Sequence, residues 1–207
     1  MFLTMSSDLC ISENEVRQTI KRIKANKASD ITYISNRVLQ TDFAKLTLIL
    51  MSLFNAYVTH EYHLKQFKKA QTIVLYKSKK SDYTDSKTYQ LIALLDIMSK
   101  VLKLIMTKRL SNIAETHHML SDAQMKVRCK WFMILTLNLL VDQIHTVWDC
   151  KIKYVAFMLS LDIIKTFNQV LHVRLLHTLK MKKTSDYIVE WACSFLENWE
   201  TSLRFNE

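Results

Sequence analysis

The sequence of 207 residues contains no glycine and no proline. At average usage of roughly 7% and 5%, about 25 such residues belong in a chain of this size. Their absence excludes the sites built on glycine turns: the Walker A loop, the dinucleotide-binding fingerprint, the nucleophile elbow and the EF-hand loop. It also removes the residues that ordinarily end helices and close tight turns. Turn positions that need positive φ must then carry side chains, at a strain of ~1–2 kcal/mol each, which predicts weak folding. Selection for a compact mixed fold rarely avoids both residues, so the absence points to mutational decay or strong coding bias.

The remaining composition is that of a globular chain, with 49% apolar and 23% charged residues, enough to bury a core in one domain or most of one. Twenty-nine Lys and Arg against nineteen Asp and Glu give a net charge of +10. That balance suits a polyanion, either nucleic acid or an acidic membrane surface, and equally a lysine-rich solvated face. Cys10, Cys129, Cys150 and Cys193 lie far apart without a Cys-x-x-Cys pair, so reduced thiols are expected. Met1–Cys10 lacks the pattern of a secretory signal, and the apolar stretches Leu46–Val58 and Trp131–Val141 are too short to span a bilayer. The expected location is intracellular, cytoplasmic or nuclear, with no membrane partner and no obligate protein partner inferred.

Ser12 with Glu15 three residues later forms a capping box, opening a helix with Val16, Ile20 and Ile23 on one face. Residues 25–36 read as a loop, Asp42–His60 as a buried helix, and Ala70–Tyr76 as a strand followed by a polar loop over Lys77–Thr88. Helices are expected over Leu94–Ile113, Met133–Trp148, Val173–Lys180 and Ser185–Leu196, the second presenting Leu137, Leu140, Val141 and Ile144. Tyr154–Leu161 reads as a buried strand ending at Asp162, and Thr201–Phe205 as another. Helices outnumber strands, giving an α+β class with a small antiparallel sheet.

Two local features bear on chemistry. An acidic residue closing an apolar strand, as Asp162 does, is unfavourable without a compensating cation, which suits a Mg²⁺ ligand. The same position suits a helix N-cap. Lys65, Lys68, Lys69, Lys77, Lys79 and Lys80 fall within sixteen residues that contain no acid, with Phe67, Tyr76 and Tyr83 as candidate stacking platforms. They fit phosphates and bases, and they fit an ordinary solvated strand edge. The histidines and cysteines show no metal or nucleophile spacing.

Taken in order, these segments resemble the amino-terminal half of the reverse transcriptase domain of LINE-type (non-LTR) retrotransposons. Ser12–Ala28 with Asn36-Arg37-Val38-Leu39 is similar to the family's opening block. Gln66–Lys77 resembles the fingers strand and its basic loop. Tyr89 with Ile92-Ala93-Leu94-Leu95 is similar to the tyrosine-arginine-proline-isoleucine-serine/alanine-leucine motif. Leu120–Gln124 through Arg128 is similar to the glutamine-x-glycine-x-arginine motif, and Leu161-Asp162 with Phe167 and Val170 to palm motif A. Each match is weak alone; the ordered series is specific and spans residues 11 to 207.

The resemblance implies a partial right-hand polymerase: an extension over 1–10, fingers over about 11–150, and the start of the palm over about 151–207. It implies RNA-templated DNA synthesis by two-metal nucleotidyl transfer, with RNA template and DNA primer as partners and Mg²⁺ as the ancestral cofactor. Asp162 inherits the role of catalytic metal ligand, Ile163 offers a backbone carbonyl to the metal, and Phe167 takes the place of the aromatic gate against a ribose 2′-hydroxyl. Gln124 and Arg128 shape the nucleotide pocket, and the six lysines contact phosphates.

Departures from the family pattern are equally informative. Gln90-Leu91 stands for arginine-proline, Lys126 and Lys130 for glycines, Trp131, Phe132 and Met133 for arginine, serine and threonine, and Asn168 for aspartate. Many of these are single C-to-T or G-to-A changes, and the same drift removes glycine and proline codons. The family's paired aspartates have no counterpart, because the sequence holds no Asp-Asp pair. The expectation is a truncated, degraded fragment without polymerase activity of its own; a non-catalytic basic nucleic-acid-binding module is the alternative.

Overall fold

The computed structural model describes residues 10–27, 32, 34–41, 43–78, 82–125, 128, 133–149, 155–163 and 169–205. Among them the chain forms seven helices, α1 (Glu13–Arg22), α2 (Asn36–Thr41), α3 (Phe43–Thr59), α4 (Ile97–Thr116), α5 (Met133–Trp148), α6 (His172–Met181) and α7 (Asp186–Leu196). The strands are β1 (Lys69–Tyr76), β2 (Tyr89–Leu95) and β3 (Glu200–Phe205). The chain divides into two compact units, one of residues 1–110 and 172–207, the other of residues 111–171.

In the first unit, the capping box forms as the sequence predicts. The Ser12 hydroxyl accepts from the Glu15 backbone N–H, and the Glu15 carboxylate accepts from the Ser12 N–H at 2.9 Å. Helix α1 has no glycine to end it. Side-chain amides do the work: Gln40 donates to the carbonyls of Ile20 and Ile23 at 3.1 and 2.7 Å, and Asn36 donates to that of Lys24 at 2.8 Å. Both belong to α2, which starts at the last residue of the loop expected over 25–36. Its six residues are too few for a periodic signal, and its role is to supply these caps.

The core of this unit is buried apolar surface from α1 (Val16, Ile20), α3 (Leu50, Phe54, Val58), α4 (Val101, Leu102, Ile105) and α7 (Ile188, Val189). Asn55 of α3 ties down the start of the described chain by accepting from the Ile11 N–H and donating to the Ile11 carbonyl.

The sheet has the order β2-β1-β3. Strand β2 pairs antiparallel with β1, from Ala70 opposite Leu95 to Tyr76 opposite Tyr89, whereas β3 lies parallel to β1. The expected antiparallel sheet is therefore mixed. The reason is topological: β3 arrives from α7, and a helical crossover delivers a parallel strand. A second correction concerns the start of α4. Leu94 and Leu95 belong to β2, and Asp96 begins the helix by accepting from the N–H groups of Met98 and Ser99 at 2.8 and 3.2 Å.

The second unit contains α5 and the end of α4. Helix α5 forms where expected, but Ile134, Leu137 and Val141 are exposed instead of packed. The buried strand expected over 154–161 is corrected as well, since the described part, Val155 to Leu161, is neither helix nor strand and is exposed. A strand persists only with a ladder neighbour, and among the described residues 111–171 there is no other strand.

Candidate nucleic-acid interface

Helix α4 places Lys100 and Lys103 on one face, three residues apart. Strand β2 places Ile92 and Leu94 on one face, two residues apart. The capped end of α1 adds Ile23, Lys24 and Lys27. Together they line a cavity of about 460 Å³ with an apolar floor and four lysines. Among the described residues no carboxylate lines it. Four like charges around one opening raise the local positive potential and favour a polyanion, while the aliphatic floor suits a sugar or base. Spacing did not reveal this set, because Lys24 and Lys103 lie far apart in sequence. The available signal was the pairing of Lys100 with Lys103 in the mostly apolar first half of α4.

The lysines grouped by the sequence are parted by the fold. Lys65 reaches Glu200 at 3.9 Å, and Lys68 is only 5% exposed with its Nζ 5.5 Å from the Tyr62 ring centroid. Both line a separate cavity of about 610 Å³ that also carries Glu61, Glu190, Glu197 and Glu200. Lys69 is exposed at the start of β1. Lys77 follows the other end of that strand and donates to the Lys87 carbonyl at 2.7 Å. Lys79 and Lys80 lie outside the described residues.

Beside the acidic cavity, His63 is fully buried among Phe67, Trp191, Phe195 and Trp199. Its Nε2 lies 3.1 Å from the Ser99 hydroxyl, while its Nδ1 has no hydrogen-bond partner among the described residues. Burial, with a smaller contribution from the Lys68 charge, lowers the imidazole to about 4.

In the second unit, Arg128 grips Glu115 through Nε at 3.1 Å and Nη2 at 2.9 Å, and its Nη1 donates to the carbonyls of Ser121 and Gln124. Its guanidinium thus staples the turn that follows α4. Gln124 is exposed in that turn. Asp162 and Ile163 are exposed in coil, and Phe167 lies outside the described residues.

The sequence is similar to two curated polymerases of Drosophila melanogaster. It is 29% identical over 192 residues, 93% of this chain, to the probable RNA-directed DNA polymerase from transposon X-element. It is 25% identical over 170 residues, 82% of this chain, to the probable RNA-directed DNA polymerase from transposon BS. This chain has homologues among transposon-encoded RNA-directed DNA polymerases. It spans about a fifth of those polymerases' length, 21% of the X-element protein and 18% of the BS protein. No protein-family model matches the sequence. No helix of the described residues is long and apolar enough to cross a membrane.

A transposon polymerase resemblance implies Mg²⁺, and the described residues show no preassembled set of ligands for it. Among the described residues no group of three or more His, Cys, Asp and Glu side chains could hold a metal ion. Asp162 offers one exposed carboxylate, and a Mg²⁺ site usually takes one or two carboxylates together with substrate phosphates and water.

Proposed function

We propose that this chain is a piece of a transposon RNA-directed DNA polymerase, comprising fingers and the beginning of the palm of a right-hand fold. By itself it binds nucleic acid without extending a primer. The observation that supports binding is the groove between α1, β2 and α4, lined by four lysines and, among the described residues, by no carboxylate, on a chain of net charge +10. Similarity to the Drosophila polymerases over most of its length supports the polymerase ancestry. RNA template and DNA primer are the partners of that ancestral reaction. The reading of lost catalysis is supported by the sequence holding no Asp-Asp pair to share two metal ions with Asp162.

The test is fluorescence anisotropy of the purified chain with an RNA/DNA hybrid over a salt series, alongside primer extension with Mg²⁺. Binding that weakens steeply with salt and no extension supports the reading. Salt-insensitive binding, or extension of the primer, overturns it.

A further inference from the structure

The end of the β1–β2 hairpin carries three tyrosines whose arrangement goes beyond what closing a hairpin requires. Tyr76 and Tyr89 face each other in register, with ring centroids 5.2 Å apart. Tyr83, from the connecting loop, sets its ring edge-on to Tyr76 at 5.0 Å and lies 6.3 Å from Tyr89. Two of the hydroxyls are fastened to backbone: Tyr83 donates to the Lys77 carbonyl at 3.1 Å, and Tyr89 to the Tyr83 carbonyl at 2.9 Å. The rings are thereby held in position, yet Tyr76 remains 60% exposed.

The surroundings are polar and favour an anion-bearing visitor. Lys77 and Lys87 meet here through the Lys77 Nζ bond to the Lys87 carbonyl. The two nearby carboxylates, both exposed, are engaged within the loop: Asp82 accepts from the Thr84 N–H and hydroxyl, and Asp85 from the Lys87 N–H. An exposed, pre-set aromatic face beside ammonium groups is the chemistry that receives an unpaired base while its phosphates meet lysine.

We propose that the Tyr76–Tyr83–Tyr89 cluster is a stacking platform for an unpaired base of a single-stranded nucleic acid. The inference rests on the nucleic-acid reading above and assigns single strands to this end of the hairpin. Duplex has no free base face to offer it. Nothing covalent is involved; the ligand docks by stacking on Tyr76 and by charge contact with Lys77 and Lys87.

The experiment compares the full chain's affinity for a DNA strand of about a dozen deoxyadenosines with that for an abasic strand of equal length, a size within the usual reach of such surfaces. The phosphates are identical, so the difference reports stacking. The base-bearing strand is expected to bind about tenfold more tightly, in line with roughly 1–3 kcal/mol per stacked base. Y76L removes that preference while leaving the salt slope unchanged, and Y76F retains it. Equal affinity of the wild-type chain for both strands overturns the platform alone, as does a preference that survives in Y76L. Binding of neither strand at low salt overturns the nucleic-acid reading and the platform with it. The wild-type comparison stands even if a variant folds poorly.

Discussion

Arg109 closes a two-point ion pair on Glu15 across 94 residues of sequence, Nε to Oε1 and Nη2 to Oε2, both at 2.8 Å. Glu15 is also the carboxylate of the α1 capping box, so one side chain serves the local helix start and the packing of α4 on it. Burial opposes its charge, but the Arg109 guanidinium and the Ser12 hydrogen bonds outweigh that and hold the carboxyl at about 2. A depressed carboxyl stabilises the fold above its ordinary value of 4.5, and that contribution is lost as pH falls toward 2. The expected outcome is a melting temperature that drops between those values. In R109Q the drop is smaller and the chain is less stable at neutral pH by about 1–3 kcal/mol, read from urea unfolding.

His63 governs a higher window. Its folded value of about 4 lies below the ordinary 6.5, so the unfolded chain binds the extra proton first. Stability is full above 6.5 and declines as pH falls to 4. Replacing His63 with phenylalanine should flatten the melting temperature across that interval. A slope unchanged in H63F would show that another group carries it.

Among the described residues, four with side chains sit at positive φ: Glu61, His118, Lys183 and Asn198, at 52°, 49°, 56° and 55°. The first three follow helices α3, α4 and α6 in the place where glycine ordinarily ends a helix. Tyr62, Met119 and Thr184 donate back to the carbonyls of Tyr57, Ala114 and Leu179 in the accompanying hydrogen bond. Glycine at any of the three relieves a strain of roughly 1–2 kcal/mol, less its own entropy cost of roughly 0.5–1 kcal/mol. E61G, H118G and K183G are each expected to stabilise the chain by about 0.5–1 kcal/mol, additively because the sites are separate. Urea midpoints at constant slope check this.

The groove lysines make a prediction that distinguishes them from those clustered in sequence. K24Q, K27Q and K103Q should each lower the slope of log affinity against log salt by about one, measured with the RNA/DNA hybrid. K65Q should leave the slope unaltered, because Lys65 stands among glutamates and reaches Glu200. Equal effects from all four would remove the groove from consideration.

Much of the fold was legible in the chain. Ser12 and Glu15 announce α1, the periodic apolar residues of α3 and α7 announce buried helices, and the β-branched run through Ile73 and Val74 announces β1. The helix expected from Leu94 begins only after Asp96, because apolar runs such as Leu94-Leu95 look alike in strand and helix. The Tyr154–Leu161 reading failed for a related reason: apolar sequence supplies a reason to be buried without supplying the ladder partner that makes a strand. The groove was illegible, since its lysines come from two segments more than seventy residues apart and each looks like an ordinary surface residue.

The sequence alone determined the features that depend on neighbours in the chain: the basic charge, the capped helix starts, the exclusion of glycine loops and the ordered resemblance to reverse transcriptases. It also determined that positive-φ turns would carry side chains. Only the tertiary structure decided which lysines converge on an apolar floor and which fall among glutamates. It alone set Arg109 on Glu15, buried His63 in an aromatic cage, and laid β3 parallel to β1. Charge and packing act through space, and distances between residues far apart in sequence are set by how helices and strands stack on one another.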